Sequence, residues 1–428
     1  MLIAKDVEKL QQMLISWIID NGTIINSRYG MELRAKPIMI VSEKGDADED
    51  TSGWRICDES YFDRIRECID DAVEKLREVP YTRRVSIPIW RPKDHLCNTP
   101  PAITEISFLS VDNELHATAF LRSLDAVNYF KSNFGLISYV LEEIADKTGN
   151  TAGSVAMVIG APHIYERDLK RVEKTKYKEH FGYHDLGVHI IEDYLSSAWH
   201  SALEVIYYQG KKKRTEWGDL FEGQSESKFV HRLFLEVKNP EENQIHDKAP
   251  FTKKYGIDYA HEYVMFAASM DKPVREKILR EGESYTYAER ARYCERDDVV
   301  VDQLYTVIEK LKKDKSRRDC YVGISRPWDV KADDPPCLRG YQFVLAKDFS
   351  GIFYMRSNDV YGAMHANMFA FNLLTRYVSE LVGFDRHAYY HFSLDAHIYN
   401  EFLGTVKEIL EPTMPSFSDF KCGSPFHP

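Results

Sequence analysis

Two stretches of the chain, TPPAITEISF (99–108) and DPPCLRGYQF (334–343), follow one pattern. Each has two prolines, one small residue and then an alternating apolar run that predicts a β-strand. The second stretch has a thiol at Cys337, where the first has Ala102. The chain therefore contains two related segments that differ in one chemically reactive side chain.

Three further pairs of segments repeat in the same order along the chain. They are YTRRVSIPIWRP (81–92) with KSRRDCYVGISRP (315–327), AFLRSLDAV (119–127) with FYMRSNDVY (353–361), and APHIYERDL (161–169) with DAHIYNEFL (395–403). The separations 317 − 83, 356 − 122 and 397 − 163 are each 234, and the double-proline pair fits with a slip of one residue. Such a repeat predicts two homologous modules, which we divide as residues 1–185 and 186–428.

The secondary-structure pattern of both modules is mixed α/β (α+β). The runs RVSIPIW, EISFLSV and YQFVLA alternate apolar and polar residues and predict strands. The runs FGLISYVLEEIADKTG and NMFAFNLLTRYVSELVG predict long, buried helices that end at glycine. We expect each module to be a mixed sheet covered by such helices.

Composition limits the function classes. The formal net charge of −11 disfavours binding to a nucleic-acid backbone, which needs a basic surface, but a small phosphorylated ligand needs only a few arginines. No apolar stretch reaches the length of a membrane span, and the start MLIAKDVEKL does not resemble a signal peptide, so we expect a cytoplasmic protein. The seven cysteines form no CxxC pair, and the sequence predicts no metal site.

In combination, the motifs SRR, PPC, RSxD, a helix-borne asparagine and DxHxY resemble the thymidylate synthase family, including its pyrimidine nucleotide hydroxymethylases, and the archaeal-type branch most closely. The resemblance covers roughly residues 250–405, and the first module is a fainter copy. It implies one-carbon transfer to C5 of a pyrimidine nucleotide monophosphate, dUMP being favoured. It also implies 5,10-methylenetetrahydrofolate or a related reduced pterin as the donor, and no metal.

The resemblance also implies roles for individual residues. Cys337 would be the nucleophile, Glu262 the catalytic glutamate and Tyr287 an active-site tyrosine, with Arg356 beside them. The residues expected to bind substrate and donor are Arg83, Arg84 and Arg214 for the phosphate, Gln342, Arg356 and Ser357 for the nucleotide and its phosphate, Asp359 for the pterin, Asn367 for the uracil edge, and His397 and Tyr399 for the sugar 3′-hydroxyl.

The residue types suit this chemistry. A thiolate can add to C6 of a uracil ring and make C5 nucleophilic, and a nearby guanidinium such as that of Arg356 favours the thiolate. A carboxylate such as Glu262 can move protons through water. The amide of Asn367 offers a donor and an acceptor that match uracil O4 and N3–H, whereas an aspartate there would favour cytosine.

The first module keeps Arg83, Arg84 and several binding residues (Arg122, Ser123, Asp125, Asn133, His163, Tyr165) but has Ala102 and Ala161 in place of the nucleophile and the acid of DxHxY. We therefore predict an intramolecular pseudo-dimer, packed sheet to sheet, in which Arg83 and Arg84 reach the substrate phosphate near Cys337. Arg317 and Arg318 would point at the inactive pocket. The alternative is that both arginine pairs are kept for interface packing alone.

Two other functions stay open. A hydroxymethylase, in which water replaces the hydride, is favoured by the absence of tryptophan in AASMDKPVREKILREG and by a chain that stops at FKCGSPFHP. A non-catalytic nucleotide-binding protein would need neither Cys337 nor Glu262. Each of these residues taken alone is more often structural than catalytic. The sequence leaves open whether two chains associate further.

Overall fold

The structure is a computed structural model that describes residues 1–46, 55–56, 59–215, 226–266 and 285–411. Its strands are β1 Leu2–Ala4, β2 Thr23–Ser27, β3 Gly30–Arg34, β4 Ile38–Ser42, β5 Arg55–Ile56, β6 Glu59–Ser60, β7 Ser86–Pro88, β8 Ile103–Val111, β9 Glu114–Leu121, β10 Leu124–Asp125, β11 Thr151–Ile159, β12 Pro162–Tyr165, β13 Gly182–His184, β14 Gly187–Glu192, β15 Lys211–Arg214, β16 Glu226–Val237, β17 Tyr321–Gly323, β18 Leu338–Leu345, β19 Phe349–Met355, β20 Asn358–Asp359 and β21 His387–Tyr399. Its α-helices are α1 Val7–Asn21, α2 Tyr61–Glu78, α3 Phe130–Thr148, α4 Leu195–Gln209, α5 Lys253–Tyr259, α6 Tyr287–Arg292, α7 Gln303–Lys313, α8 His365–Leu381 and α9 Leu403–Leu410.

Each half of the chain builds its own sheet, and the two sheets have the same topology. The first has the strand order β1-β4-β11-β9-β8-β7, and the second contains β14-β16-β21-β19-β18-β17. The directions also agree, because the first and third pairs in each order are parallel and the others antiparallel. A register shift interrupts β8–β9 just after Ile103 and β18–β19 just after Leu338. The expected mixed α/β fold with two related modules is confirmed.

Long helices cover the outer face of each sheet, as their apolar spacing predicts. In the first module, α3 buries residues along its inner side and ends at Gly149, whose φ of 72° is the left-handed conformation that glycine adopts without strain. In the second, α8 is buried along most of its length and is followed by Gly383 at φ 81°. Of the helices that the described ranges contain, none is both long and apolar enough to cross a membrane.

The buried apolar residues form one core in each half and a third core between them. The first core contains residues between Leu2 and Ile164, and the second contains residues between Val188 and Ile409. The division at 185/186 stays a prediction. In the third core, the ring of Phe120 from β9 stacks on Tyr354 from β19 at a centroid distance of 4.7 Å. The inner faces of the two sheets are therefore packed against each other.

Buried polar contacts join the sheets as well. Glu105 on β8 accepts from Arg339 at 2.6 Å and from Ser325 at 2.7 Å, and Glu105 and Arg339 are at most 1% exposed. Arg339 also donates to the carbonyl of Pro336, next to Cys337. A charged pair removed from water is costly to break on one side only. The first module thus helps to hold the segment that contains Cys337.

Candidate active site

A cavity of about 260 Å³ opens beside the half-buried Cys337. Nine of the residues expected at the site line it together: Arg83, Tyr287, Cys337, Arg356, Ser357, Asp359, Asn367, His397 and Tyr399. They come from both modules, since Arg83 belongs to the segment between α2 and β7 and the others to the second module. The structure therefore places these residues in one cavity, while their individual roles stay predictions.

The backbone N–H and the guanidinium of Arg356 hold the segment that contains Cys337. Cys337 directly precedes β18, and its carbonyl accepts from the backbone N–H of Arg356 at 2.9 Å. The Arg356 guanidinium donates to the carbonyls of Pro335 at 2.5 Å and Pro336 at 3.1 Å, and to the carbonyl of Arg83 at 3.2 Å. The side chain is 3% exposed. Arg356 therefore fixes both the double-proline segment and the crossing segment from the first module.

The side chain of Arg83 crosses into the second module's cavity. Its guanidinium lies 2.9 Å from His397 Nε2 and donates to the Tyr399 hydroxyl at 2.7 Å. On the other side of the imidazole, His397 Nδ1 lies 2.8 Å from Asp395 Oδ1. Arg83 and Asp395 are themselves 3.8 Å apart. This gives an ordered Asp395–His397–Arg83 chain at the cavity wall.

Burial and charge set the protonation of this chain. Burial lowers the pKa of His397, and the charge of Arg83 lowers it further, so the ring is neutral at neutral pH. Burial opposes ionisation of Asp395, but Lys213, His397 and Arg83 outweigh burial and hold the pKa of that carboxyl well below its usual range. A neutral ring that donates from Nδ1 to Asp395 accepts from Arg83 at Nε2.

Asn367, on the first turn of α8, is oriented by two neighbours. The Tyr259 hydroxyl donates to Asn367 Oδ1 at 2.9 Å, and Asn367 Nδ2 lies 3.4 Å from Asn358 Oδ1. Asn358 in turn donates to His391 Nε2 at 2.9 Å. These contacts fix which end of the Asn367 amide is the oxygen.

Three further tyrosines that the sequence analysis did not identify form a wall with Tyr287. Tyr259 and Tyr263 lie with ring centroids 5.2 Å apart, Tyr263 meets Tyr287 edge-on at 5.1 Å, and Tyr285 adjoins Tyr287. Burial, and then the nearby Cys337, raise the pKa of Tyr287 well above its ordinary value, so it stays protonated. The spacing of Tyr259 and Tyr263, four residues apart around the expected glutamate, was the available signal.

Glu262 is exposed and is not among the residues that line the cavity. Residues Ala260–Met265 are wound as a π-helix, with the Phe266 N–H bonded to the carbonyl five residues earlier. In an α-helix, a residue three positions after Tyr259 would return to within about 60° of it. The wider π winding turns Glu262 further from the tyrosine face. Apolar spacing in the sequence does not reveal this rotation, and the expected role of Glu262 stays a prediction.

Three other expected residues also lie outside the cavity. Gln342 faces the first module, as does Val344 two residues on along β18, and its Nε2 donates to the carbonyls of Arg122 at 2.7 Å and Arg318 at 3.2 Å. Arg84 does not line the cavity, and Arg214 is exposed on β15 at the sheet edge. Gln342 therefore makes an interface contact, and its expected nucleotide contact and the phosphate contacts of Arg84 and Arg214 stay predictions.

The first module has a corresponding cavity of about 950 Å³ next to Ala102. Arg318 crosses into it and donates to the Tyr165 hydroxyl at 2.9 Å, whereas Arg317 pairs with Asp319 and does not line it. Arg318 is thus the counterpart of Arg83, and both 318 − 83 and 337 − 102 give 235. The prediction that both Arg317 and Arg318 point at this pocket was wrong for Arg317, because the one-residue slip extends to the arginine pair.

Two expected features fall outside the described ranges. They are the tryptophan-free segment after the Glu262 helix and the C-terminal tail, both cited above for the hydroxymethylase alternative. Across the ranges that are described, no group of three or more His, Cys, Asp or Glu side chains is arranged to hold a metal ion.

Known proteins resemble this chain. The family model for thymidylate synthase matches residues 5–215 and 255–424. Proteins named "Putative thymidylate synthase" from Methanococcoides burtonii and Methanosarcina mazei are 27% identical over 219 residues and 29% identical over 224 residues, and each match covers 51% of this chain and 92% of the relative. The solved thermostable thymidylate synthase A from Bacillus subtilis aligns with 19% identity and a TM-score of 0.41, over 51% of this chain and 84% of that one.

Proposed function

The chain belongs to the thymidylate synthase family, and we propose that it methylates C5 of a pyrimidine nucleotide, dUMP being favoured, at the cavity beside Cys337. Family membership supports one-carbon transfer to pyrimidine C5 in general. The observation that supports the finer proposal is the convergence of a thiol, two arginines from different modules and a base-reading amide on one cavity. This convergence goes beyond the needs of packing.

We propose that Cys337 starts the reaction. Its sulfur forms a bond to C6 of the pyrimidine, and the electron pair of the C5–C6 double bond moves toward C5 and O4, which makes C5 nucleophilic. The substrate phosphate binds near Arg83 and Arg356, whose guanidinium groups supply charge-assisted hydrogen bonds. Because Arg356 is also bonded to Pro335 and Pro336, phosphate and thiol are held in a fixed relation.

Asn367 supports the choice of uracil. Its Nδ2 can donate to O4, while Oδ1 has a second lone pair for N3–H besides the one that accepts from Tyr259. His397 and Tyr399 suit the sugar hydroxyl, since a neutral imidazole and a phenol can each donate or accept. The deoxyribose in our proposal rests on the family and not on a contact in the cavity.

Methylenetetrahydrofolate, the donor that the family generally uses, fits the residues present. The Asp359 carboxylate lies at the cavity wall, held by the Gly362 N–H at 3.0 Å, and can accept from pterin N–H groups. The stacked rings of Tyr259 and Tyr263 offer an aromatic surface. When bound, the donor supplies the one-carbon unit. In our proposal Tyr287, which stays protonated, donates a hydrogen bond toward the reacting centre.

Glu262 remains our proposal for the proton-transfer group. It lies between the cavity-lining residues Tyr259 and Tyr263, so rewinding of the π turn to α geometry would bring it toward the cavity. π-helical turns are frequent at functional sites. This proposal requires a working state that differs from the described one at these few residues.

Release of tritium from 5-³H-dUMP tests the proposal directly. We expect release that depends on both methylenetetrahydrofolate and Cys337, and a product heavier by one methyl group in mass analysis. Release with a hydroxymethyl product would identify the hydroxymethylase instead. Binding of dUMP without any release would contradict catalysis and leave a nucleotide-binding protein.

In the same assay, Glu262→Gln tests the proton-transfer role. We expect a loss of about 10²- to 10⁴-fold, the usual contribution of a positioned acid or base. The exposed Asp258→Asn, on the preceding turn, is the matched control and should change little. Equal, small effects of both substitutions would remove Glu262 from the mechanism.

A further inference from the structure

The cavity of the first module has the dimensions and lining of a ligand site. Its volume of about 950 Å³ lies within the range of small-molecule pockets, about 300–1,000 Å³. Its lining resembles that of the active cavity, with Arg122, Ser123 and Asn133 at the repeat separation of 234 from Arg356, Ser357 and Asn367, and Tyr61 in a place similar to that of Tyr287. The two tyrosines make similar contacts, since Tyr61 accepts from the N–H of Ala102 and Tyr287 accepts from the N–H of Leu338, the residue after Cys337.

One end of this cavity is suited to a phosphate. Arg318 and Arg122 bring two guanidinium groups together, and the carbonyl of Arg318 accepts from Arg122 at 3.1 Å. The buried Glu32 forms ion pairs with Arg34 at 2.5 Å and with Arg318 at 3.0 Å. One carboxylate between these two arginines leaves one net positive charge, and Arg122 adds another. The buried Nη1 of Arg318 forms the ion pair with Glu32, and Nη2 donates to the Tyr165 hydroxyl, so the guanidinium is held at the cavity wall.

The aspartates that line the cavity are occupied elsewhere. Asp125 accepts from the backbone N–H groups of Val127 and Asn128, each at 3.1 Å, and Asp168 pairs with Arg171 at 2.8 Å. The four lining arginines therefore exceed the two lining carboxylates, and the cavity is electropositive in a chain whose overall charge is −11.

The middle and far end of the cavity are suited to a nucleoside. His163 is neutral, because burial and then Arg318 lower its pKa, and its Nδ1 donates to the carbonyl of Ala161 at 3.0 Å. In the second module Arg83 contacts Nε2 of His397, but in the first module Arg318 is paired with Glu32. The His163 Nε2 can therefore accept from a sugar hydroxyl. Beyond it, Asn133 offers an amide oxygen, and Tyr61 and Leu136 form apolar walls.

We propose that the first module binds a nucleoside 5′-monophosphate in this cavity without turning it over. The phosphate contacts Arg122 and Arg318, the sugar contacts His163, and the base lies toward Asn133. Turnover is excluded because Ala102 offers a methyl group where a nucleophile is needed. The larger volume accommodates a purine as well as a pyrimidine base. The site is distinct from the proposed active site and requires the second module, which supplies Arg318.

Binding stoichiometry tests this proposal. Equilibrium dialysis of the full chain with dUMP, UMP, AMP and inorganic phosphate, without folate, should give two sites per chain for at least one nucleotide. Arg318→Gln should weaken one of the two sites by about 10- to 100-fold and leave the other, which Arg83→Gln weakens instead. Arg317→Gln is the matched control and should leave both sites unchanged.

A single site that responds only to Arg83→Gln would overturn the proposal while leaving the proposed function intact. Inorganic phosphate that binds the first module as tightly as every nucleotide would also overturn it, since the nucleoside contacts would then contribute nothing. The opposite result, one site that responds only to Arg318→Gln, would support the proposal and count against the proposed function.

A second readout locates the ligand and does not depend on removing an arginine. In an Ala102→Cys, Cys337→Ser double variant, a thiol stands in the first cavity and none in the second. The bound nucleotide should slow alkylation of that thiol by iodoacetamide, read at the peptide level by mass spectrometry. Cys97, which does not line the cavity, is the internal control and should keep its rate. Unchanged alkylation at position 102 under saturating nucleotide would refute the assigned location.

Discussion

The cavities beside Ala102 and Cys337 keep the same arginine and differ in the thiol that we propose as the nucleophile. Arg122 donates to the carbonyls of Pro100 at 2.6 Å and Pro101 at 2.7 Å, as Arg356 does to Pro335 and Pro336. A buried carbonyl left without a partner costs about 1–3 kcal/mol, so this arginine stabilises the double-proline segment in both modules. The thiol has no such structural duty. Loss of chemistry in one copy therefore leaves most of its pocket intact.

The two crossing arginines, Arg83 and Arg318, have acidic partners on different strands of their modules. In the second module Asp395 and His397 face Arg83, whereas the first module has Ala161 at the aspartate position and a carboxylate on β3, Glu32, facing Arg318. In the second module, Ser227 on β16 stands at the position of Glu32, because Ser227 pairs with Tyr399 as Glu32 pairs with Tyr165. The direction in which an arginine of the repeated pair points thus depends on a carboxylate that is distant from it in the chain.

The largest difference between the cavities should appear when the thiol is removed. Cys337→Ala makes the second cavity resemble the first, and we expect tritium release from 5-³H-dUMP to fall by about 10³-fold or more, since no other thiol among the described residues lines the cavity. Nucleotide binding should persist. Cys97→Ala, in the first module, is the control. Residual activity near the wild-type level would refute the nucleophile assignment.

Substitutions of the two crossing arginines should affect different cavities. Arg83→Gln removes a charged donor beside His397 and Tyr399, and we expect KM for dUMP to rise by about 10- to 100-fold. Arg318→Gln, the same change at the corresponding position, should leave KM within about twofold. Initial-rate kinetics on both variants give the comparison. If Arg83→Gln were kinetically silent, or both variants behaved alike, the cross-module contact would have no catalytic meaning.

A smaller effect is expected at Tyr259, which orients Asn367 in the second cavity. Tyr259→Phe removes the hydroxyl that orients Asn367, and we expect kcat/KM for dUMP to fall by about 5- to 15-fold, in keeping with one hydrogen bond. Discrimination against dCMP should weaken because the amide can rotate. Tyr255→Phe, which keeps the ring stacked on Tyr259, is the control. Unchanged discrimination would show that Asn367 is oriented by Asn358 alone.

The smallest effect concerns acid stability, in which the two cores differ. Buried histidines whose pKa is lowered by burial are His95, His116 and His163 in the first half and His189, His365, His387, His391 and His397 in the second. Each is neutral when folded, so below pH of about 6.5 the unfolded chain binds more protons and stability falls as pH falls. The second half should be the more acid-sensitive.

Urea unfolding at pH of about 7, 6 and 5 measures this dependence. Burial lowers the pKa of His391 to about 3, so His391→Gln should reduce the slope by up to about 1.4 kcal/mol per pH unit. The exposed His261→Gln is the control. A slope that His391→Gln leaves unchanged would mean that this ring is charged in the folded state.

Much of the site could be predicted from order and spacing, because the motifs around Cys337, Arg356 and His397 lie on neighbouring strands or just before them. What the sequence could not place has local causes. The orientation of Glu262 depends on π winding, which apolar spacing does not distinguish from α winding, and the orientation of Gln342 depends on which face of its strand meets the other module. Tyr259 was missed because its partner, Asn367, is 108 residues away.

The sequence by itself determined the duplication, the mixed α/β class and the single thiol of the repeated double-proline motif, since these follow from repeated residues and their periodicity. Only the tertiary structure decided which arginine of each pair crosses, and that two cavities remain. Those outcomes depend on the packing of two sheets and on buried carboxylates such as Glu32 and Asp395, whose partners belong to the other module. Contacts between segments so distant in the chain leave no local pattern in it.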